Sequence, residues 1–237
     1  MDLAATTKAM GSRQLRGALD SSPLWGAGRV EDTYNLLGHA LRKALGVIAR
    51  QQGRGLTEMA HEAGASLLDG TRSLKAALDC DWDDPAARTV ALGQVVAALT
   101  AVEGSLDRQE AVPGEARAAV AVAEQVRGQD VEILPENVLQ VRRGVAKERR
   151  ISVEDGEMRH GRKSRSHLFN GYKRHIRRDL DSGLVRAVEI TAANAPEASV
   201  TDDLMADLSH QDQELREIHL DRGYWPVSSS GIAPRIS

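Results

Sequence analysis

The feature that most constrains this chain is a change of hydrophobic period. From Glu31 onward, Tyr34, Leu37, Leu41, Leu45 and Ile48 fall at i, i+3, i+7, i+11 and i+14, one face of a helix with acids at its start and Arg50 at its end. Leu56 to Leu68 predicts a second helix. Asp84-Pro85 is a helix start, with Asp as cap and Pro in the first turn, ahead of an Ala/Val/Leu-rich run from Val90 to Leu106. Pro113 to Val126 closes the block. On both sides of residues 31–126 the helical period is lost, so any sheet must be assembled from strands separated by about a hundred residues of helix.

The flanking segments read as strands. Residues 13–22 predict a short strand ending near Asp20, after which Pro23, Gly26 and Gly28 break regular structure. Residues 127–167 are a polar, basic connection with few periodic signals. His167 to Leu180 and Leu184 to Ala192 predict two strands joined by an Asp181-Ser182-Gly183 turn. Asn194 to Pro196 is a break. Glu197 to Leu208 predicts an amphipathic helix with Val200, Leu204 and Leu208 on one face, and Leu215 to Leu220 a last strand running into Asp221-Arg222-Gly223-Tyr224. Strand, hairpin, helix, strand resembles the front half of an RNase H-like fold. The expected class is mixed α/β (α+β), an incomplete RNase H-like core with a large helical insertion after its first strand. Its segments are 1–30 (first strand), 31–126 (helical insertion), 127–167 (basic linker), 168–225 (remainder of the core) and 226–237 (irregular tail).

Charge is unevenly spread. Net charge is −3, yet residues 142–178 carry thirteen Lys and Arg against four acids, an asymmetry that points to a polyanion or else to a solvated linker. The lone Cys80 excludes an internal disulfide, and its Asp79 and Asp81 neighbours disfavour a reactive thiolate. Uninterrupted apolar runs fall short of a membrane span and the N-terminus lacks a signal-peptide pattern, so a cytoplasmic protein with no membrane partner is expected. His160, His167 and His175 are spaced too widely for a zinc site.

Asp20 and Asp221 end the first and last predicted strands. In an RNase H-like core these strands lie side by side, so their terminal acids converge. Phosphodiester cleavage is assisted by two divalent ions held about 3.5–4 Å apart, and hard cations such as Mg²⁺ take carboxylate oxygens. Each Asp can equally cap its own turn. His219, two residues before Asp221, either reaches the site or fills the sheet edge.

Several blocks resemble the core of DDE-type transposases from bacterial insertion sequences: Arg150 to Ser166, Leu168 to His175, Leu184 to Ala198 and His219 to Tyr224. Ala18 to Gly26, with Glu31 to Leu37, resembles the first-aspartate region of the same group. The resemblance implies that Asp20 and Asp221 are the first two acids of the DDE triad, catalytic and metal-binding, with Mg²⁺ or Mn²⁺ as cofactor. It implies DNA as partner, both transposon ends and target DNA, and a homo-oligomer or a full-length transposase as further partners. Arg159, Arg162, Lys163, Arg165, Lys173, Arg174, Arg177 and Arg178 are the expected DNA-backbone contacts. The family's third acid, a Glu, lies well downstream of the second, whereas Trp225 to Ser237 holds no acid. The expectation is therefore a truncated transposase with an incomplete metal site, inactive in isolation. Its rivals are a non-catalytic DNA-binding or regulatory fragment and a non-functional remnant.

Overall fold

A computed structural model describes residues 14–70, 73–144, 146 and 148–224. Arg13 of the first predicted strand and the tail from Trp225 onward lie outside the described residues. By contacts the chain forms two units, one from residues up to Ala27 together with those from Glu157, the other from Gly28–Gly156.

The Gly28–Gly156 unit contains α1 (Thr33–Gln52), α2 (Leu56–Glu62), α3 (Leu74–Ala77), α4 (Pro85–Asp107) and α5 (Gly114–Asp130). Asp32 caps α1 by accepting the Asn35 amide at 3.1 Å. Asp84 caps α4 through the amides of Ala86 and Ala87, with Pro85 in the first turn. The α1 stripe (Leu37, Leu41, Leu45, Ile48) is fully buried in one cluster with Leu92, Val95, Leu99 and Val102 of α4 and Ala123 and Val126 of α5. By length and composition alone, α4 is long and apolar enough to cross a bilayer. In this structure its buried face belongs to that cluster.

Residues 127–167 hold more regular structure than their sequence signals. α5 continues to Asp130, and β2 (Val131–Leu134) pairs with β3 (Val138–Val141) as an antiparallel hairpin. The hairpin was illegible because its strands are four residues each and its turn uses Glu136 and Asn137 in left-handed backbone rather than an Asn-Gly pair. Behind it Arg149 forks onto buried Asp130, with bonds of 2.9 and 2.8 Å, and Asp130 also accepts the Thr33 hydroxyl at 2.8 Å. This part of the basic segment therefore spends its charge inside the protein.

Between α4 and α5 the Glu103 carboxyl is pushed up to about 7, by burial first and by hydrogen bonding to Glu124 second. The folded state holds this proton longer than the unfolded chain, so stability falls as the pH rises from about 4 to about 7. Glu103→Gln is expected to add about 1 kcal/mol at pH near 8, the shift being discounted for solvent screening, and to add nothing near pH 4. Thermal melts at the two pH values check this, and equal melting temperatures at the higher one would refute it.

The other unit is a five-stranded sheet of β1 (Gln14–Trp25), β4 (Arg159–Arg162), β5 (Leu168–Asp179), β6 (Val185–Ala192) and β7 (Glu214–Leu220). β5 runs antiparallel to β1, β6 and β4 pair along β5, and β7 runs parallel to β1. Leaving β4 aside, the spatial order β6-β5-β1-β7 places the first strand beside the last, the arrangement expected of an RNase H-like core, with a 3-10 turn (Glu197–Val200) and α6 (Thr201–His210) between β6 and β7. Along β1 the buried residues alternate as Leu15, Gly17, Leu19 and Ser21. Leu19 packs with Ala187 of β6, Val200, Leu204 of α6 and Tyr224 in a small core.

β1 does not stop at Asp20 but runs through Pro23 to Trp25. Its pairing with β7 ends at Leu19↔Leu220, so beyond that point β1 is paired on one side only, the setting in which strands tolerate proline.

Candidate metal and DNA site

The two acids are brought together by register. β1 and β7 are parallel and their ladder ends at Leu19↔Leu220, so Asp20 and Asp221 are the next residues on neighbouring strands that lie about 4.8 Å apart. Both are exposed, the Asp20 side chain by 82%. Each accepts a hydrogen bond from the amide that follows it, Ser21 to Asp20 at 2.7 Å and Arg222 to Asp221 at 2.6 Å. The Lys163 ammonium lies 3.5 Å from Asp20 Oδ1 and donates to the Ser21 carbonyl at 2.6 Å.

Behind these acids, on the face covered by α6, lies a polar cluster that the sequence reading did not find. The Ser21 hydroxyl donates to Glu197 Oε1 at 2.6 Å. Lys173 donates to the Ala195 carbonyl at 2.9 Å and sits 3.9 Å from Glu197. His175, opposite Ser21 on β5, is fully buried and hydrogen-bonded to the Tyr224 hydroxyl at 2.8 Å and to Thr191 at 3.0 Å. Burial holds the His175 imidazole below its usual range. The Tyr224 phenol is pushed up by burial, against the pull of the Ser21 hydroxyl, and further by the charges of Glu197, Asp20 and Asp221. Ser21, His175, Glu197 and Tyr224 stand in the blocks that carried the family resemblance but had no role there, whereas Lys173 was among the expected DNA contacts.

The eight expected DNA contacts divide by strand face. Directly opposed residues of an antiparallel pair share a face, and Ala18↔Arg178, Asp20↔Ile176 and Ser22↔Arg174 put Arg174 and Arg178 on the face that bears Asp20. Both arginines are exposed, as are Arg162, Lys163 and Arg165 at the end of β4 and in the loop beyond it. Lys173 and Arg177 point the other way. Arg177 is 1% exposed and donates to the Leu204 carbonyl at 2.9 Å, so its guanidinium is withheld from any phosphate. Arg159 is partly buried and donates to its neighbour's carbonyl at 2.9 Å. His219 is bonded to Glu217 at 2.9 Å, along the β7 edge.

Residues 141–225 match the family model described as transposase DDE domain. This part of the chain is similar to a transposase DDE domain. The matched span includes Asp221 and its turn, while Asp20 lies outside it. No curated protein and no solved structure matches the chain.

The donor set of Asp20 and Asp221 suits a hard divalent cation. Mg²⁺ is commonly held by one or two carboxylates and retains several waters, which two exposed acids on adjacent strands allow. Among the described residues no group of three or more His, Cys, Asp or Glu side chains is arranged to hold a metal.

Proposed function

We propose that this chain acts in DNA transposition, with Asp20 and Asp221 holding the divalent metal and with Arg162, Lys163, Arg165, Arg174 and Arg178 lying along the DNA backbone. The observation that carries this reading is the parallel β1–β7 register, which sets the two acids side by side on a face flanked by two arginines. When bound, Mg²⁺ or Mn²⁺ would supply Lewis-acid assistance to cleavage at a phosphodiester. The chain's own residues would orient the ion, neutralise phosphates and seat the strand end near Lys163. A third carboxylate is called for by the family resemblance, and the described residues bring two to this point. We therefore propose that the isolated chain binds metal and DNA in the cytoplasm without completing strand transfer. Mg²⁺-dependent strand transfer by the purified chain would overturn that part.

Mn²⁺ binding followed by electron paramagnetic resonance tests the site. The wild-type chain is expected to bind, and Asp20→Asn and Asp221→Asn each to weaken binding at least about tenfold, the scale on which even outer-shell partners act. Affinities unchanged by both substitutions would remove the acids from the account. For DNA, anisotropy with a random-sequence duplex is expected to show affinity falling steeply with salt. Arg174→Gln with Arg178→Gln should flatten the log–log salt slope by about two units, close to one per lost phosphate contact. A slope equal to wild type would exclude this face.

A second reading, a non-catalytic DNA-binding or regulatory fragment, is favoured by one observation. The outer strand β6 exposes Val185, Val188 and Ile190, an apolar strip that a partner could cover. Salt-sensitive DNA binding with no Mn²⁺ binding would support it over the first.

A further inference from the structure

The β1–β7 ladder ends one residue short of both acids, so ladder hydrogen bonds do not set the distance between Asp20 and Asp221. The Glu197 side chain meets both segments past that point, beside the Tyr224 phenol, which the Ser21 hydroxyl also reaches. Glu197 Oε1 accepts the Ser21 hydroxyl at 2.6 Å, and the amide of the same Ser21 donates to the Asp20 carboxylate at 2.7 Å. Glu197 Oε2 lies only 2.0 Å from where a Cβ on residue 223 would stand, so this oxygen is seated in the space that Gly223 leaves open. Gly223 follows Arg222, whose amide donates to Asp221 at 2.6 Å. The turn is held from its far end as well, because the Thr201 hydroxyl donates to the Tyr224 carbonyl at 3.4 Å and the Tyr224 hydroxyl bonds buried His175. Glu197 itself is largely covered, its side chain 18% exposed, with the Lys173 ammonium 3.9 Å away to balance its charge.

We propose that Glu197 is a positioning residue for the metal site: one oxygen fixes Ser21 behind Asp20 and the other seats against Gly223 behind Asp221, so that it sets the separation of the two acids. This rests on the reading of Asp20 and Asp221 as metal-holding residues. Glu197 does not itself join them as a ligand, since its bonded partner Ser21 lies on the opposite sheet face from Asp20. What it supplies is order, the service that outer-shell partners perform for ligating groups elsewhere.

The test compares Mn²⁺ affinity, read from the resonance of the free ion, across five forms of the full chain. Glu197→Gln keeps an oxygen for the Ser21 hydroxyl and should stay within about threefold of wild type, while Glu197→Ala should weaken binding by about tenfold or more. Gly223→Ala leaves Glu197 in place but pushes its carboxylate out of its seat. It should weaken binding in the same direction as Glu197→Ala, and it carries the test should Glu197→Ala fail to fold by circular dichroism. Wild-type affinity in both Glu197→Ala and Gly223→Ala would overturn the proposal. So would Glu197→Gln binding as weakly as Glu197→Ala, because the charge and not the spacing would then be what matters. If the wild-type chain takes up no more Mn²⁺ than Asp20→Asn/Asp221→Asn, the metal-site reading itself fails and this inference goes with it.

Discussion

Replacing Gly171 with alanine should unfold the sheet unit while leaving the helical unit intact. Gly171 has φ 140°, a backbone conformation that side-chain-bearing residues rarely adopt. A Cβ there would stand 2.3 Å from the Gly26 amide nitrogen and 2.4 Å from the Leu24 carbonyl oxygen. Both obstacles are backbone, so neither can rotate away, and relief requires β1 to part from β5 where Trp25 pairs with Gly171. The backbone conformation alone costs about 1–3 kcal/mol, and the lost pairing adds to it; a total of about 4 kcal/mol or more is a large share of a domain's usual stability of about 5–15. Hydrogen exchange read by mass spectrometry separates the two units. Peptides from β1 and β5 should lose protection in Gly171→Ala while peptides from α1 keep theirs. Protection of β1 and β5 unchanged from wild type would contradict the crowding seen at Gly171.

The second large effect is expected at Asp179, in the β5–β6 hairpin. Asp179 is 3% exposed and pairs with the equally covered Arg186 at 3.2 Å. It also accepts the Asp181 amide at 3.1 Å and the Ser182 hydroxyl. Burial alone would raise its pKa, but the Ser182 hydroxyl, the Asp181 amide and the Arg186 guanidinium together outweigh burial and hold the carboxyl below the usual range. Asp179→Ala leaves Arg186 charged and uncompensated in the interior, a loss of about 3–5 kcal/mol at neutral pH. The sign of the pH dependence follows from the depressed value. The contribution is fully present above the pH at which an unfolded aspartate titrates, about 4, and is lost as the pH falls through the lower folded value. Urea melts of wild type and variant should therefore converge as the solution is acidified below about pH 4. A constant difference across that range would show that the carboxylate charge is not what the pair contributes.

Much of the secondary structure was legible because it is written in local spacing. The α1 stripe from Tyr34 to Ile48 is buried as its period required, and the strands near 168–179, 185–192 and 214–220 lie where alternation and turn residues placed them. The β2–β3 hairpin was not legible, since four-residue strands offer too few alternations to register. The burial of Arg177, which removes it from the proposed DNA contacts, was hidden for a different reason. Along β5 the covered face carries Lys173, His175, Arg177 and Asp179 and the open face Arg174, Ile176 and Arg178. Both faces are polar, so the pattern gives no sign of which one meets a helix.

By itself the sequence determined the kind of most elements outside residues 127–167, the helical block between strands, and the presence of one acid on β1 and another just past β7, because these depend on residues a few positions apart. Only the tertiary structure decided the rest. Pairing β1 with β7 joins segments two hundred residues apart, and that register makes neighbours of Asp20 and Asp221. The packing of α6 against one sheet face decides which basic side chains remain outside. The meeting of Glu197 with Ser21 and Gly223 depends on three separate segments arriving at one place, and no periodicity within any one of them encodes it.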